Sequence, residues 1–426
     1  MTYKIYTLGC KVNTYESNVM SDILKNNGYN STLNNASVAI INTCTVTNVA
    51  DSKCIKTIKR CIKDNPNAIV IVCGCLSQNK TDIISSIDGV DIIIGNIFKT
   101  KIIDYIERYK KEKKQIIDVY DITNTEFETM KLNNFDKTRA FVKIQDGCNN
   151  FCSYCIIPYT RGNVRSKKKD DVIEEVKSLI NNGHKEIVLT GIHTGNYGVE
   201  FENYNFANLL NDLVKIKGLE RLRISSIEIT EITEEVLNVI KNNSILVDHM
   251  HIPLQSGSNE VLKRMNRKYN KEYFIDKINS IRKIRPNISI TTDVIVGFPG
   301  ESGEEFLETI ETINKIKFSK LHVFPYSKRD KTEAAEFSNQ IDQTTKKERA
   351  KILIKISKEL EIDYMNKFLN KDLIFIPEIE KDGFVIGHTG NYLLIKTLGN
   401  KELLNKNIKV NIKSVNYPSL IGEKID

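Results

Sequence analysis

Between residues 140 and 327 this chain repeats one pattern six times: a short apolar run, then a stretch with helical spacing. The apolar runs cover residues 140–147, 186–191, 221–228, 249–257, 289–300 and 320–327. Helical periodicity fills 170–182, 206–216, 231–242, 271–284 and 302–315 between them. A helix between two strands carries the chain back to its starting edge, so such strands pair in parallel with the helices outside. Eight units would close a barrel of ~250 residues, whereas six units in ~200 residues predict a partial (βα)6 barrel over residues 138–365. Barrels of this kind do their chemistry at the C-terminal strand ends. That rule selects Cys148, Thr190, Gly191, Ser225, Ser226, Glu228, Gln255, Gly297, Tyr326 and Ser327. For the glycines, a turn that needs their backbone freedom is an equal explanation.

The first strand delivers the loop QDGCNNFCSYCIIPYTRG (residues 145–162), with Cys148, Cys152 and Cys155 separated by Phe151 and Tyr154. No fourth cysteine follows, and the next histidines, His184 and His193, are far downstream. A closed structural zinc site takes four ligands, and an iron–sulfur cube normally takes four thiolates. Three thiolates from one loop leave a coordination position open, and open positions are where metals do chemistry. Beyond the loop, Arg161, Arg165, Lys167, Lys168 and Lys169 run without an acid until Asp170. Such a run is usually a solvated face; beside an active site and Tyr159 it also reads as a phosphate contact.

Residues 1–125 show a second alternation, with strands near 3–9, 38–43, 68–74 and 91–95 and helices between. This predicts a small, doubly wound parallel sheet, so the chain as a whole belongs to the α/β class. Cys10, Cys44 and Cys75 each fall just past a strand end. In an open parallel sheet those ends share one edge, where such folds bind ligands. The three cysteines therefore converge, either as a second three-thiolate metal centre or as small buried hydrophobes. Cys54 and Cys61 share a helix face with Ile58 and are assigned to the core, as is Cys73.

Nine cysteines is an odd number, which argues against a complete disulfide framework. The opening MTYKIYTLGC lacks the apolar core and cleavage site of a secretory signal. The longest apolar runs are about half of a membrane span. A cytoplasmic, reducing setting without a membrane partner follows, where thiols remain available as ligands. The net charge of +8 is compatible with a nucleic-acid partner without demonstrating one. Residues 123–137 are polar and aperiodic and read as a linker. Residues 366–426 carry short strands with nine lysines against seven acids, which suggests a small β-barrel that caps the molecule or binds RNA.

With these motifs in view, the chain resembles the radical S-adenosylmethionine methylthiotransferases over its length. The C-x3-C-x2-C loop with Tyr154 before its last cysteine matches that family's cluster loop. LGCKVN, NTCTVTNVAD, LTGIHTGNYG, HIPLQSGS and HVFPYSKR look most like the branch that methylthiolates N6-threonylcarbamoyladenosine beside the tRNA anticodon. The resemblance implies a radical SAM core, an N-terminal methylthiotransferase domain and a C-terminal TRAM domain. It also implies two 4Fe-4S clusters, one on Cys148, Cys152 and Cys155 and an auxiliary one on Cys10, Cys44 and Cys75. S-adenosylmethionine would bind the first cluster's open iron, with Tyr154, Thr190, Gly191, Ser226, Glu228, Gln255 and Gly297 around it. The family's glycine-glycine-glutamate motif is reduced here to Thr190–Gly191. The implied partners are a tRNA substrate, an electron donor of flavodoxin or ferredoxin type and an unidentified sulfur donor. Isopentenyladenosine in tRNA, or an aspartate on a ribosomal protein, is the competing substrate. A non-catalytic, metal-stapled RNA-binding protein is the competing class.

Overall fold

The computed structural model describes residues 1–425. Its first region runs β1 (Thr2–Thr7), α1 (Lys11–Asn26), β2 (Asn30–Ser31), β3 (Val38–Thr43), α2 (Asn48–Asp64), β4 (Ile69–Gly74), α3 (Cys75–Asn79), α4 (Thr81–Ser85), β5 (Ile92–Ile94), α5 (Ile102–Glu112) and β6 (Ile116–Asp118). The strands form one parallel sheet in the order β2-β1-β3-β4-β5-β6. Alternation of side chains along each strand supplies two apolar faces. Ile40, Ile71 and Ile92 pack under Met20 and Leu24 of α1 and Ile102 and Ile106 of α5. Ala39, Ile41, Val70 and Val72 pack under Cys54, Ile58 and Cys61 of α2 and Ile84 of α4. The sheet is thus doubly wound, and its winding reverses between β1 and β3, where open α/β sheets place their ligands.

The second region contains β7 (Arg139–Lys143), β8 (Gln145–Asp146), α6 (Ile157–Arg161), β9 (Arg165–Ser166), α7 (Lys169–Asn181), β10 (Glu186–Thr190), α8 (Phe206–Leu213), β11 (Arg221–Ile224), α9 (Glu234–Asn242), β12 (His249–His251), α10 (Asn259–Arg264), α11 (Lys271–Ile284), β13 (Ser289–Val296), α12 (Gly303–Ile316), β14 (Lys320–Pro325) and α13 (Gln343–Asn366). Two parallel three-stranded sheets, β7-β10-β11 and β12-β13-β14, are joined by bridges at Leu222–Leu246 and Ser226–His251. The result is an open barrel of six parallel strands. Val142, Leu189, Leu222, Met250 and Ile290 face outward onto the helices. The alternate residues line the lumen, and most of them are polar or charged.

β15 (Asp372–Lys381), β16 (Phe384–Thr389), β17 (Leu394–Leu398), β18 (Ile408–Asn416) and β19 (Ser419–Lys424) close into a five-stranded barrel around Phe375, Val385, Ile395 and Val410. Residues 123–137 are no free linker. Met130, Leu132 and Phe135 are buried in the main core, and the backbone carbonyl of Met130 accepts from Tyr15 Oη at 2.9 Å and Lys167 Nζ at 2.5 Å. Among the described residues, no helix is long and apolar enough to cross a membrane.

Candidate metal centres

The Cys148–Cys155 loop rises from a two-residue hairpin in which β8 pairs antiparallel with β9. Gly147 has φ +75°, and a Cβ there would lie 1.9 Å from the Asn163 carbonyl oxygen, so only glycine fits this closure. Cys148 N–H donates to Gly162 O at 3.0 Å and Cys155 N–H to Cys152 O at 2.9 Å, tightening the loop that carries the three cysteines. Burial first, then the neighbouring Cys152 and Cys148, push the Cys155 thiol up to about 12. A bound cation would reverse that cost by stabilising the thiolates.

Arg267 stands against this triad. It donates to Cys152 Sγ at 3.3 Å and Tyr154 Oη at 3.5 Å, and it pairs with the Glu228 carboxylate. Tyr154 and Glu228 are therefore brought together through a cation that sequence reasoning did not select. Gln255 has φ +63°, and its Oε1 is buried without a partner among the described residues. Its backbone pairs with β13, N–H to Asp293 O and O from Ile295 N–H, both at 2.9 Å. Ser226 bridges to His251 at the seam between the half-sheets. Thr190 is buried and its carbonyl accepts from Ile144 N–H. A Cβ on Gly191 would approach Gln145 Oε1 to 2.9 Å. Gly297 answers to local needs: its φ is +66°, its N–H donates to Glu301 at 2.7 Å, and a Cβ would strike Lys346 at 2.3 Å. His193 accompanies Cys148, with Nδ1 3.6 Å from Sγ and Nε2 paired to Glu231, while His184 braces Asn134 and Phe135.

The second triad is assembled from three strand ends. Cys10 caps α1, Cys44 follows β3, and Cys75 opens α3. Gly9 and Gly74 both have φ +99°. A Cβ on Gly9 would sit 2.6 Å from Cys44 Cβ, and one on Gly74 would sit 2.6 Å from Thr43 O. These glycines let the strand ends close on one another. Burial first, then Cys75 and Cys10, push the Cys44 thiol up to about 12. Cys10 is exposed in surface area, yet burial is the leading cause of its raised thiol, as expected of an atom in a solvent-filled crevice. Cys54 Sγ donates to Cys44 O at 3.3 Å and accepts from Cys44 N–H at 3.4 Å, bracing that ligand position from below. Cys61 and Cys73 lie in the two apolar layers.

Two arginines lock these edges face to face. Arg161, fully buried on α6, donates to Cys75 Sγ at 3.3 Å, Glu16 at 2.7 Å and Asn13 Oδ1 at 2.7 Å. Around it Glu16 also holds Lys99 at 2.5 Å and Lys143 at 2.8 Å, while Asp146 holds Lys143 and Arg165. Burial opposes the charge on Glu16, but Arg161, Lys143 and Lys99 outweigh it and hold the carboxyl well below the usual range. This takes Arg161, Arg165 and Lys167 out of the phosphate-contact reading of residues 161–169, while Lys168 and Lys169 stay exposed. Arg161, Arg165 and Lys167 are buried, and Lys167 is committed to Glu175 at 2.5 Å. Arg329, just past β14, forms the other lock through Thr45 Oγ1 at 2.7 Å, Asp51 at 2.9 Å and Asn48 Oδ1 at 2.6 Å. Ser327 accepts from Asn48 N–H, and Tyr326 packs edge-on to Phe298, so both serve the scaffold.

The donor sets suit anionic metal–sulfur groups. Each triad offers three soft sulfur ligands with a guanidinium against one of them, and soft ligands in threes leave one metal position free; among the described residues, no group of three or more His, Cys, Asp or Glu is arranged to hold a single metal ion. The unpartnered Gln255 Oε1 and the Arg267–Glu228 pair beside Cys152 suit a zwitterionic ligand at the loop triad.

Comparison with known proteins finds matches to both regions. The model described as Radical SAM superfamily matches residues 142–313, and the one described as Uncharacterized protein family UPF0004 matches 2–95. "Threonylcarbamoyladenosine tRNA methylthiotransferase MtaB" of Bacillus subtilis (strain 168) is 45% identical, over 99% of this chain and 96% of that protein. "tRNA-2-methylthio-N(6)-dimethylallyladenosine synthase" of Clostridium tetani is 37% identical, over 100% of this chain and 96% of that protein. Among solved structures, the radical S-adenosylmethionine methyltransferase TsrM of Kitasatospora setae superposes with a TM-score of 0.58. It covers 78% of this chain and 76% of that one at 13% identity, a likeness of fold alone.

Proposed function

The chain belongs to the radical S-adenosylmethionine methylthiotransferase family, and from that premise we propose that it converts N6-threonylcarbamoyladenosine next to the tRNA anticodon to its 2-methylthio derivative. The observation that carries this is the 45% identity to the Bacillus subtilis protein of that activity across nearly both full lengths. The relative named for dimethylallyladenosine is 37% identical over a similar span. The family uses S-adenosylmethionine and 4Fe-4S clusters. When bound, these supply a radical able to activate the adenine C2–H bond, which acid–base groups cannot, and the sulfur and methyl group joined there.

In our reading Cys148, Cys152 and Cys155 hold the cluster that binds S-adenosylmethionine, and Cys10, Cys44 and Cys75 hold the auxiliary one. Tyr154, Glu228 and Gln255 orient S-adenosylmethionine: the Gln255 oxygen accepts from its amine, and Arg267 keeps Glu228 and Tyr154 in place. Thr190, Gly191, Ser226 and Gly297 shape the backbone around that pocket. Arg161 and Asn13 fix Cys75 and α1, and Arg329 fixes the chain after Cys44, so the residues that would hold the two clusters are tied to one another across the sheet and the barrel. A modified base entering there is held away from bulk water by the two opposed edges. The five-stranded barrel with its surplus of lysines serves tRNA binding, and the enzyme works in the cytoplasm with a small flavodoxin- or ferredoxin-type reductant.

Nucleoside digestion and mass analysis of tRNA from a deletion strain tests the assignment. The 2-methylthio form of threonylcarbamoyladenosine should vanish while that of isopentenyladenosine persists. The opposite pattern would transfer the assignment to the dimethylallyl substrate.

A further inference from the structure

The lumen of the open barrel ends in a group of cations that the two cysteine triads do not employ. Its floor is Tyr392, in the turn between β16 and β17, with φ +68°. This is a left-handed conformation that an aromatic residue adopts only when its surroundings impose it. The imidazole of His249 stacks on the ring at 4.8 Å with 28° between planes. The guanidiniums of Arg139 and Arg223 lie over it at 5.0 and 4.7 Å. Glu186 is shared between Arg223, at 2.8 Å, and Arg221, at 3.6 Å. Arg139 pairs with Glu378 at 3.2 Å.

The charges do not close. Arg223 is 2% exposed, yet among the described residues its Nη1 has no partner, and neither has the buried Nδ1 of His249. Lys11, exposed at the surface, follows the cluster cysteine Cys10 and stands within electrostatic reach of Arg223 and Arg139 and of the acid Asp293. It makes no hydrogen bond or ion pair among the described residues. Buried donors left open are costly unless something fills them. The open Arg223 Nη1 and His249 Nδ1, with the exposed Lys11 ammonium near them, fit a single small anion best.

We propose that this pocket binds a carboxylate carried by the substituent on the substrate base, with Lys11, Arg223 and His249 as its readers. The proposal rests on the threonylcarbamoyl reading above, since that substituent ends in a carboxylate and an isopentenyl group carries none. Lys11 joins the two sites along the chain. A base whose ring meets the strand-end triad at Cys10 extends its substituent past Lys11 toward Arg223 and the Tyr392 floor. An uncharged substituent would leave all three donors unpaired, so the pocket both attracts one substrate and penalises the other.

The test uses the reconstituted enzyme and tRNA bearing threonylcarbamoyladenosine, either with its free carboxylate or after carbodiimide-driven amidation, which removes the charge and keeps the shape. Steady-state constants and competition binding are measured for both, with iron content checked for every variant. The wild-type enzyme is expected to favour the carboxylate by about tenfold or more, expressed in KM and in binding. Lys11→Gln should shrink that preference severalfold, and Lys11→Arg should preserve it. Equal use of the two tRNAs by the wild type would overturn the proposal and leave the assigned reaction standing. So would a preference that survives Lys11→Gln, or one that Lys11→Arg loses as completely. If the enzyme ignores both tRNAs and methylthiolates isopentenyladenosine, the functional reading falls and the proposal with it.

Discussion

The two cysteine triads solve one coordination problem by opposite routes. Cys148, Cys152 and Cys155 come from a single loop, and their convergence is written into their spacing. Cys10, Cys44 and Cys75 are brought together only because three strands end on the same edge and two glycines let those ends touch. The first is a local motif that any folded neighbourhood would preserve. The second depends on the whole sheet and on the arginine locks that hold it against the barrel.

The sharpest break of this comparison is Cys152→Ala, which should abolish 5′-deoxyadenosine formation in the anaerobically reconstituted enzyme while the strand-end triad keeps its iron. Cys44→Ala is the converse. It should lose about half the iron, since ligand removal empties one site of two, and should stop methylthio transfer while cofactor cleavage stays measurable. Loss of only trace iron would return Cys44 to the hydrophobic core.

Arg161→Leu tests whether the strand-end triad depends on long-range support. Removing a buried cation that faces Glu16 and Asp146 should cost about 3–5 kcal/mol in urea unfolding. Arg267→Leu, whose partner Glu228 retains some solvent, should cost less, about 1–3 kcal/mol. Equal losses would contradict the contrast between the two sites.

The smallest effect is with pH. Burial opposes ionisation of Glu16 and Asp146, but Arg161 and Lys143, with Lys99 beside Glu16 and Arg165 beside Asp146, hold both carboxyls well below their ordinary range. The stability they contribute is complete above the unfolded-state pKa of about 4 and is lost as pH falls through their depressed folded values. The urea midpoint of the metal-free protein should therefore be insensitive to these two groups between about pH 7 and pH 5. A Glu16→Gln variant should be destabilised by the same amount across that window. A difference that already shrinks by pH 5 would show that Glu16 is less tightly paired than its geometry implies.

The periodic elements were readable because burial on one face leaves a regular trace, as in the six barrel strands and in Ile58 flanked by Cys54 and Cys61. Strand ends were less so. The third barrel strand stops at Ile224 and the fourth at His251, because beyond them the pairing falls to single bridges, Ser226 to His251 and Gln255 to Val294. Residues 123–137 looked like a linker because Met130, Leu132 and Phe135 follow no period, yet all three are buried. The basic run was misjudged for a related reason. Its partners Glu16 and Glu175 lie 145 and 8 residues from Arg161 and Lys167, and only the fold joins Glu16 to Arg161. Arg267 and Arg329 left no trace in the sequence, since an arginine that supports a ligand reads like one in water.

Arg161 has one more consequence. It sits six residues after Cys155 on the chain, yet its guanidinium is spent on Asn13, Glu16 and Cys75. The two halves of the enzyme are therefore not interchangeable parts. A chimera that grafts the first 125 residues of a distant relative onto this barrel must carry the acid of Glu16 with it. Otherwise it buries an unanswered cation beside the sulfur it was meant to steady.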